Sequence, residues 1–296
     1  MLKFQAQGGS CMRQLTTIFL AFLNLVLLAG WAIGCQASPY PTDIAEIVKR
    51  DKLRVAIYSK DILPFIGQNE KGELIGYDVE LAKLLAKKLG VKIEFNRKAK
   101  TFDEIIELVN QRHVDLAIGI LTPTPERAKK VRFTKPYLLL NQGLLYNRLA
   151  AAKYKITDPA NQPNKLQGLK IGILKSSSYV NYARHDFPAA NFIPYDTLVD
   201  AMDDVKQGKL FACFSYLTDL EQWLNSKADA GLYTGISKLN NKLSPIAIAA
   251  SWETPNLLNW VDMALLLMDL ERENMGLRKQ YLANSNVRFN NDTDYA

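Results

Sequence analysis

Cysteine and histidine are scarce in this 296-residue chain, which carries three of the former and two of the latter. Cys11 and Cys35 fall within the first 35 residues, so Cys213 stands alone in the remainder and no disulfide framework forms there. Set in the apolar run "LFACF", Cys213 reads as a small buried hydrophobe. A catalytic thiol would want a histidine, and His113 and His185 each fall in a segment patterned as a polar helix face. GxSxG, HExxH, P-loop and SxxK motifs are all missing, which leaves the enzyme classes they mark without support. Also missing is a basic block interleaved with aromatics. The formal charge of +7 is spread among interleaved Asp and Glu, so no nucleic-acid partner is expected.

Acidic residues are absent from residues 1–35, where Lys3 and Arg13 precede "LTTIFLAFLNLVLLAGWAIGC". A basic start, an apolar middle and small residues before a cleavage point make an export signal. Its end, "AIGC", resembles a bacterial lipobox, which implies that Cys35 is lipidated and anchors the chain to a membrane, with "SPYPTD" as a tether. Read instead as an uncleaved anchor, the same run is nearly long enough to span a bilayer. On either reading the rest of the chain is exported to the periplasm or cell surface, and it holds no later apolar run of spanning length. The whole chain is 48% hydrophobic and 23% charged, ordinary for a globular protein with a core.

Past the tether, strand and helix patterns alternate. "LRVAIY" reads as a strand and "GELIG" as a hairpin or turn. "YDVELAKLLAKKLG" predicts a helix, with Asp78 as N-cap, an apolar face of Val79, Leu81, Ala82, Leu84, Leu85 and Leu89, and Gly90 as its stop. "VKIEF" comes next as a strand, then "TFDEIIELVNQR" as a helix and "VDLAIGI" as a buried strand, the grammar of a doubly wound α/β lobe. After the extended "NQGLLYNR" and the polar "TDPANQPNKLQG", a second round begins: "LKIGIL", "SSSYVNYARH", "NFIPY", "TLVDAMDDVKQG", "KLFACF" and "LTDLEQWLNS". The chain ends with a strand, "SPIAIAAS", and one or two helices in "NLLNWVDMALLLMDLERENMGLRKQYLA", with "ENMG" as the break.

The segments "GELIGYDVELAKLLAKKLGVKIEF", "VDLAIGILTPTPERAKKVRFTKPY", "LQGLKIGIL" and "IAIAASWETPNLLNWVDMALLL" resemble, in that order, the family-3 solute-binding proteins of ATP-driven importers, which typically bind amino acids. The resemblance implies an α/β fold of two doubly wound lobes joined by two crossing strands, the type II periplasmic-binding-protein fold. Residues 36–145 with 247–296 would form lobe 1 and 146–246 lobe 2, crossing near Gly143–Arg148 and Ser244–Ser251. It further implies a monomer without cofactor, a membrane permease as partner, and capture of ligand by hinge closure. Two alternatives stay open. Relatives of this fold include dehydratases, although Glu73, Glu126 and Glu221 are poorly placed as cleft acids, and a ligand-sensing receptor would use the same hinge.

"TPTPERAKK", Thr122 to Lys130, carries the candidate site. A planar guanidinium holds a carboxylate through two parallel hydrogen bonds, and the resemblance gives Arg127 the ligand's α-carboxylate; the simpler reading pairs it with a surface acid. Thr122 would help hold the same group, and the Gly119 and Ile120 carbonyls would lie where an ammonium is met. Ser176, Ser177 and Ser178 stand where the family has Gly-Ser-Thr at a helix start, as an anion site or simply an N-cap. Phe102 matches an aromatic position that covers the ligand, or else packs in the core. Three positions depart from the family. Tyr216 replaces the aspartate that takes the ligand's ammonium, Ile62 a stacking aromatic, and Ser59 a common acid; Asp219, one helical turn beyond Tyr216, would substitute if its helix begins early, or else serves that helix's first turn. A buried ammonium without a counter-ion costs several kcal/mol. The expected ligand is therefore a carboxylate without a standard α-ammonium, or an amino acid read in an atypical way.

Overall fold

The computed structural model describes residues 38–175, 177–270, 273–282 and 287–288. The signal run, Cys35 and Ser176 lie outside the described residues. In chain order the first elements are α1 (Thr42–Arg50), β1 (Lys52–Ala56), β2 (Gly67–Gln68), β3 (Leu74–Ile75), α2 (Tyr77–Leu89), β4 (Lys92–Asn96), α3 (Phe102–Asn110), β5 (Leu116–Ala117), α4 (Pro125–Ala128) and β6 (Val131–Phe133). The second round comprises β7 (Leu138–Asn147), α5 (Arg148–Lys153), β8 (Lys170–Leu174), α6 (Tyr179–Asp186), β9 (Asn191–Tyr195), α7 (Leu198–Lys206), β10 (Ala212–Tyr216), α8 (Leu217–Ser226), α9 (Ala230–Tyr233) and β11 (Thr234–Ile246). Last come β12 (Ala249–Ser251), α10 (Pro255–Leu270), α11 (Glu273–Leu282) and β13 (Val287–Arg288).

Two α/β sheets result. The first has the order β4-β1-β5-β12-β6, and the second β11-β7-β10-β8-β9 with β13 added beside β7. In the first, β1 runs parallel to β4 and β5, while β12 enters antiparallel to both β5 and β6. In the second, β8 is parallel to β9 and β10, and β7 is antiparallel to β10 and β11. Pro194 is tolerated because β9 is an edge strand, where a missing N–H breaks no ladder.

The passage between the sheets differs from expectation on one side. All ten residues of β7 pair within the second sheet, starting with Leu138 opposite Ile246. The first crossing therefore lies ahead of β7, not at Gly143–Arg148, and is stapled to the returning chain by Thr134 N–H to Ile248 O (2.9 Å) and Tyr137 N–H to Ile246 O (2.9 Å). The second crossing, between Ile246 and Ala249, falls inside the expected segment and splits "SPIAIAAS" between two sheets. "ENMG", expected as a break, instead lies within α11.

Local chemistry explains the helix ends. Gly90 stops α2 in the left-handed region (φ 74°). Asp78, however, is not its N-cap: Gly76 is, and Asp78 sits in the first turn, wholly buried. Gly76 has φ 120°, and a Cβ there would stand 2.3 Å from Phe65 O. Thr101 caps α3 by accepting from Glu104 N–H at 3.1 Å. The N-terminus of α10 is capped from far away, as Asp43 Oδ2 accepts from Asn256 and Leu257 N–H at 2.9 and 3.1 Å. Cys213 is buried as expected, and burial holds its thiol well above the usual range.

Candidate ligand-binding cleft

Residues just beyond the carboxyl ends of β1, β5, β8, β9 and β10 converge on a cavity of ≈ 630 Å³, where open α/β sheets place ligands. From the first sheet come Tyr58, Lys60, Asp61, Ile62, Phe102 and Ile120. From the second come Leu174, the turn Asp196–Asp200, Asp219, and one face of α8 bearing Gln222, Trp223 and Ser226. Tyr58 and Phe102 stack at 4.9 Å with a 12° interplanar angle, forming an aromatic wall. Phe102 thus both packs and faces the cavity. Lys60 Nζ reaches across to Asp196 O at 3.4 Å. Asp61 is ion-paired with Arg97, whose Nε also donates to Tyr58 O at 3.1 Å.

"TPTPER" enters a single turn of helix at Pro125, after an extended Thr124. Thr124 accepts from Arg127 N–H at 3.3 Å and Pro125 takes the first helical position, where its missing N–H costs nothing. This turn buries Arg127 to 7% exposure. Its Nη1 donates to Thr122 O at 3.1 Å, while Nε and Nη2 both donate to Asp103 Oδ1 at 3.1 and 3.0 Å. Arg127 does pair with a surface acid, then, for the Asp103 side chain is 66% exposed. A guanidinium has five N–H groups, and two of these take no hydrogen bond among the described residues.

Gly119 (φ 144°) and Ile120 (φ 44°) end β5 in left-handed backbone. Ile120 N–H donates to Asp78 Oδ2 at 3.0 Å, and Tyr137 O–H donates to Asp78 Oδ1 at 2.7 Å. Asp78 therefore ties α2, the cleft loop and the first crossing together. Burial pushes it up to about 7, although both hydrogen bonds favour its charged form.

At the end of β10, Tyr216 is 1% exposed. Its O–H donates to Ser244 Oγ at 3.2 Å and shares a 2.9 Å hydrogen bond with Thr122 Oγ1. Burial raises the phenol to about 12, so it is neutral at physiological pH. Ser59 N–H is engaged by Ala99 O at 3.0 Å. Ser177 spends its hydroxyl on Leu174 O at 2.8 Å, and Ser178 is buried at the start of α6 without a side-chain cap bond.

Among the sequence candidates, Ile62, Phe102 and Ile120 share the cavity wall, whereas Arg127, Thr122 and Tyr216 form a group linked by hydrogen bonds outside that lining. Missed from sequence were Tyr58, Asp103, the Asp196 turn and, apart from Asp219, the α8 face. For α8 a signal existed: Asp219, Gln222, Trp223 and Ser226 recur at helical spacing on one side.

Two doubly wound sheets, two crossing segments and a cavity where the strand ends meet define a two-lobed cleft-binding protein. The chain belongs to the bacterial extracellular solute-binding proteins, family 3, whose profile matches residues 53–284. It is 29% identical over 208 residues to the ABC transporter arginine-binding protein 1 of Escherichia coli (strain K12), covering 70% of this chain and 76% of that protein. It is 27% identical over 212 residues to the glutamine-binding protein of Geobacillus stearothermophilus, covering 66% and 77% respectively. Among crystal structures, that of the ancestral amino acid-binding protein AncCDT-1, a precursor of cyclohexadienyl dehydratase, matches with a TM-score of 0.67 at 27% identity, over 81% of this chain and 99% of the other.

Proposed function

We propose that this protein is the substrate-binding component of an ABC importer, capturing an amino acid or related carboxylate-bearing solute in the interlobe cleft and closing over it to meet a membrane permease. The observation that carries this reading is the buried Arg127 guanidinium, held in the α4 turn against Thr122 O with two N–H groups unspent among the described residues. Charge-assisted bonds to a carboxylate contribute about 1.5–3 kcal/mol each, enough for Arg127 to dominate affinity. The arginine- and glutamine-binding relatives support the amino-acid class.

The protein acts as a binder, not an enzyme. The relatives it matches are binding proteins, and the carboxyl raised to about 7, Asp78, is sealed against Tyr137 and Ile120 outside the cavity wall, where it has no ligand to protonate. Thermal-shift screening against amino acids, amines, dicarboxylates and keto acids tests the reading. Carboxylates should raise the melting temperature, and Arg127→Ala should abolish the response. A strong response to a compound without an anionic group would refute it. Lipid anchoring through Cys35 rests on the lipobox-like "AIGC"; retention of a Cys35→Ser variant on membranes would contradict it.

A further inference from the structure

Arg127 by itself would accept any carboxylate, yet it is not by itself. Asp103 lies against it, contributing one oxygen to two of its N–H groups, while Asp103 Oδ2 takes no hydrogen bond among the described residues. The two partners differ in exposure, the arginine side chain at 8% and the aspartate at 66%. A guanidinium already neutralised by a neighbour leaves an arriving bare carboxylate as an uncompensated negative charge. A ligand that brings its own cation next to its carboxylate escapes this repulsion. Tyr216 offers no charge for that cation, since its neutral hydroxyl is shared between Thr122 and Ser244.

We infer that Asp103 is the counter-ion for the ligand's ammonium: its free Oδ2 takes the cation while Arg127 takes the carboxylate, and the pair selects zwitterions over bare acids. Phe102, the preceding residue, stacks on Tyr58 in the cavity wall and fixes the backbone that presents Asp103. Asp103 thus supplies from α3 the acid that is missing at Tyr216. This inference rests on the proposed grip of Arg127, and the experiment separates the two.

Calorimetric titrations of the full-length protein would use L-arginine against 5-guanidinopentanoate, and L-glutamine against 5-amino-5-oxopentanoate, each pair differing by the α-amino group alone. For whichever pair binds, the expected preference for the amino acid is about tenfold or more. Asp103→Asn should weaken the amino acid and bring that preference below about threefold, and Asp103→Glu, which restores the charge, should recover most of it. An unchanged preference in Asp103→Asn would overturn the inference. So would equal tightening of both members of a pair, the mark of an aspartate that merely competes for Arg127. If Arg127→Gln binds the carboxylates as the wild type does, or if the wild type binds none of the four, it is the reading of Arg127 that fails, and this inference falls with it.

Discussion

Replacing Asp78 with asparagine should flatten the pH dependence of stability between about pH 4 and pH 7. The carboxyl is wholly buried, and burial raises it from 3.8 to about 7 against the opposing effect of its bonds from Tyr137 and Ile120. A native state that holds this proton more tightly than the unfolded chain is favoured by acid. The stabilisation is complete below about 3.8, declines as pH rises through the window, and is gone above about 7. At 1.36 kcal/mol per pH unit, the loss is on the order of 4 kcal/mol. For a chain of this size that corresponds to a fall in melting temperature of roughly 8–16 °C. Asparagine has a single acceptor oxygen and would turn an N–H toward either Tyr137 or Ile120. It should therefore lower stability at acidic pH by about 1–3 kcal/mol while removing the slope. Thermal melts of both proteins from about pH 4.5 to 8.5 measure the difference, in which ionisations common to both cancel. Equal slopes in wild type and variant would refute the reasoning.

Two further outcomes rest on geometry. Gly76→Ala should cost about 3 kcal/mol or more, read as a fall in the urea midpoint, because φ is 120° and the new Cβ would meet Phe65 O at 2.3 Å, a backbone atom that cannot swing aside. An unchanged midpoint would contradict this. Cys213, wholly buried and with its thiol pushed up by burial, should resist a thiol reagent at neutral pH until the protein unfolds. Labelling of the native protein at the unfolded rate would count against that.

How far the sequence could be read depended on whether the deciding contact was local. Helix α2, its apolar face and the stop at Gly90 arise from spacing and capping within one segment, and they appear where expected. Asp78 was misassigned by the same local logic. An acid beside a helix start reads as a cap, whereas its partners, Ile120 and Tyr137, lie 42 and 59 residues away. The crossing was displaced because "YLLLNQGLLYN" is apolar throughout, with no mark where one sheet hands over to the next. Arg127 was found through its motif, but Asp103 reads in sequence as an ordinary first-turn acid of α3. On α8 only Asp219 stood out, by its distance from Tyr216, since polar residues at helical spacing serve water and a cleft equally well.

The insertion of β12 between β5 and β6 bears on the order in which the molecule can assemble. Strands β7 to β11 are drawn from one continuous stretch, Leu138 to Ile246, and apart from β13 that sheet needs no residue beyond it. The first sheet must wait. Its inner strand pairs Ala250 with Leu116, roughly 130 residues apart, and Asp43 meets Asn256 across 213 residues of sequence. A chain emerging from its amino end therefore carries β5 and β6 as open edges until residue 251 arrives, and open edges invite pairing with other chains. The half of the cleft that bears Arg127 is the half completed last.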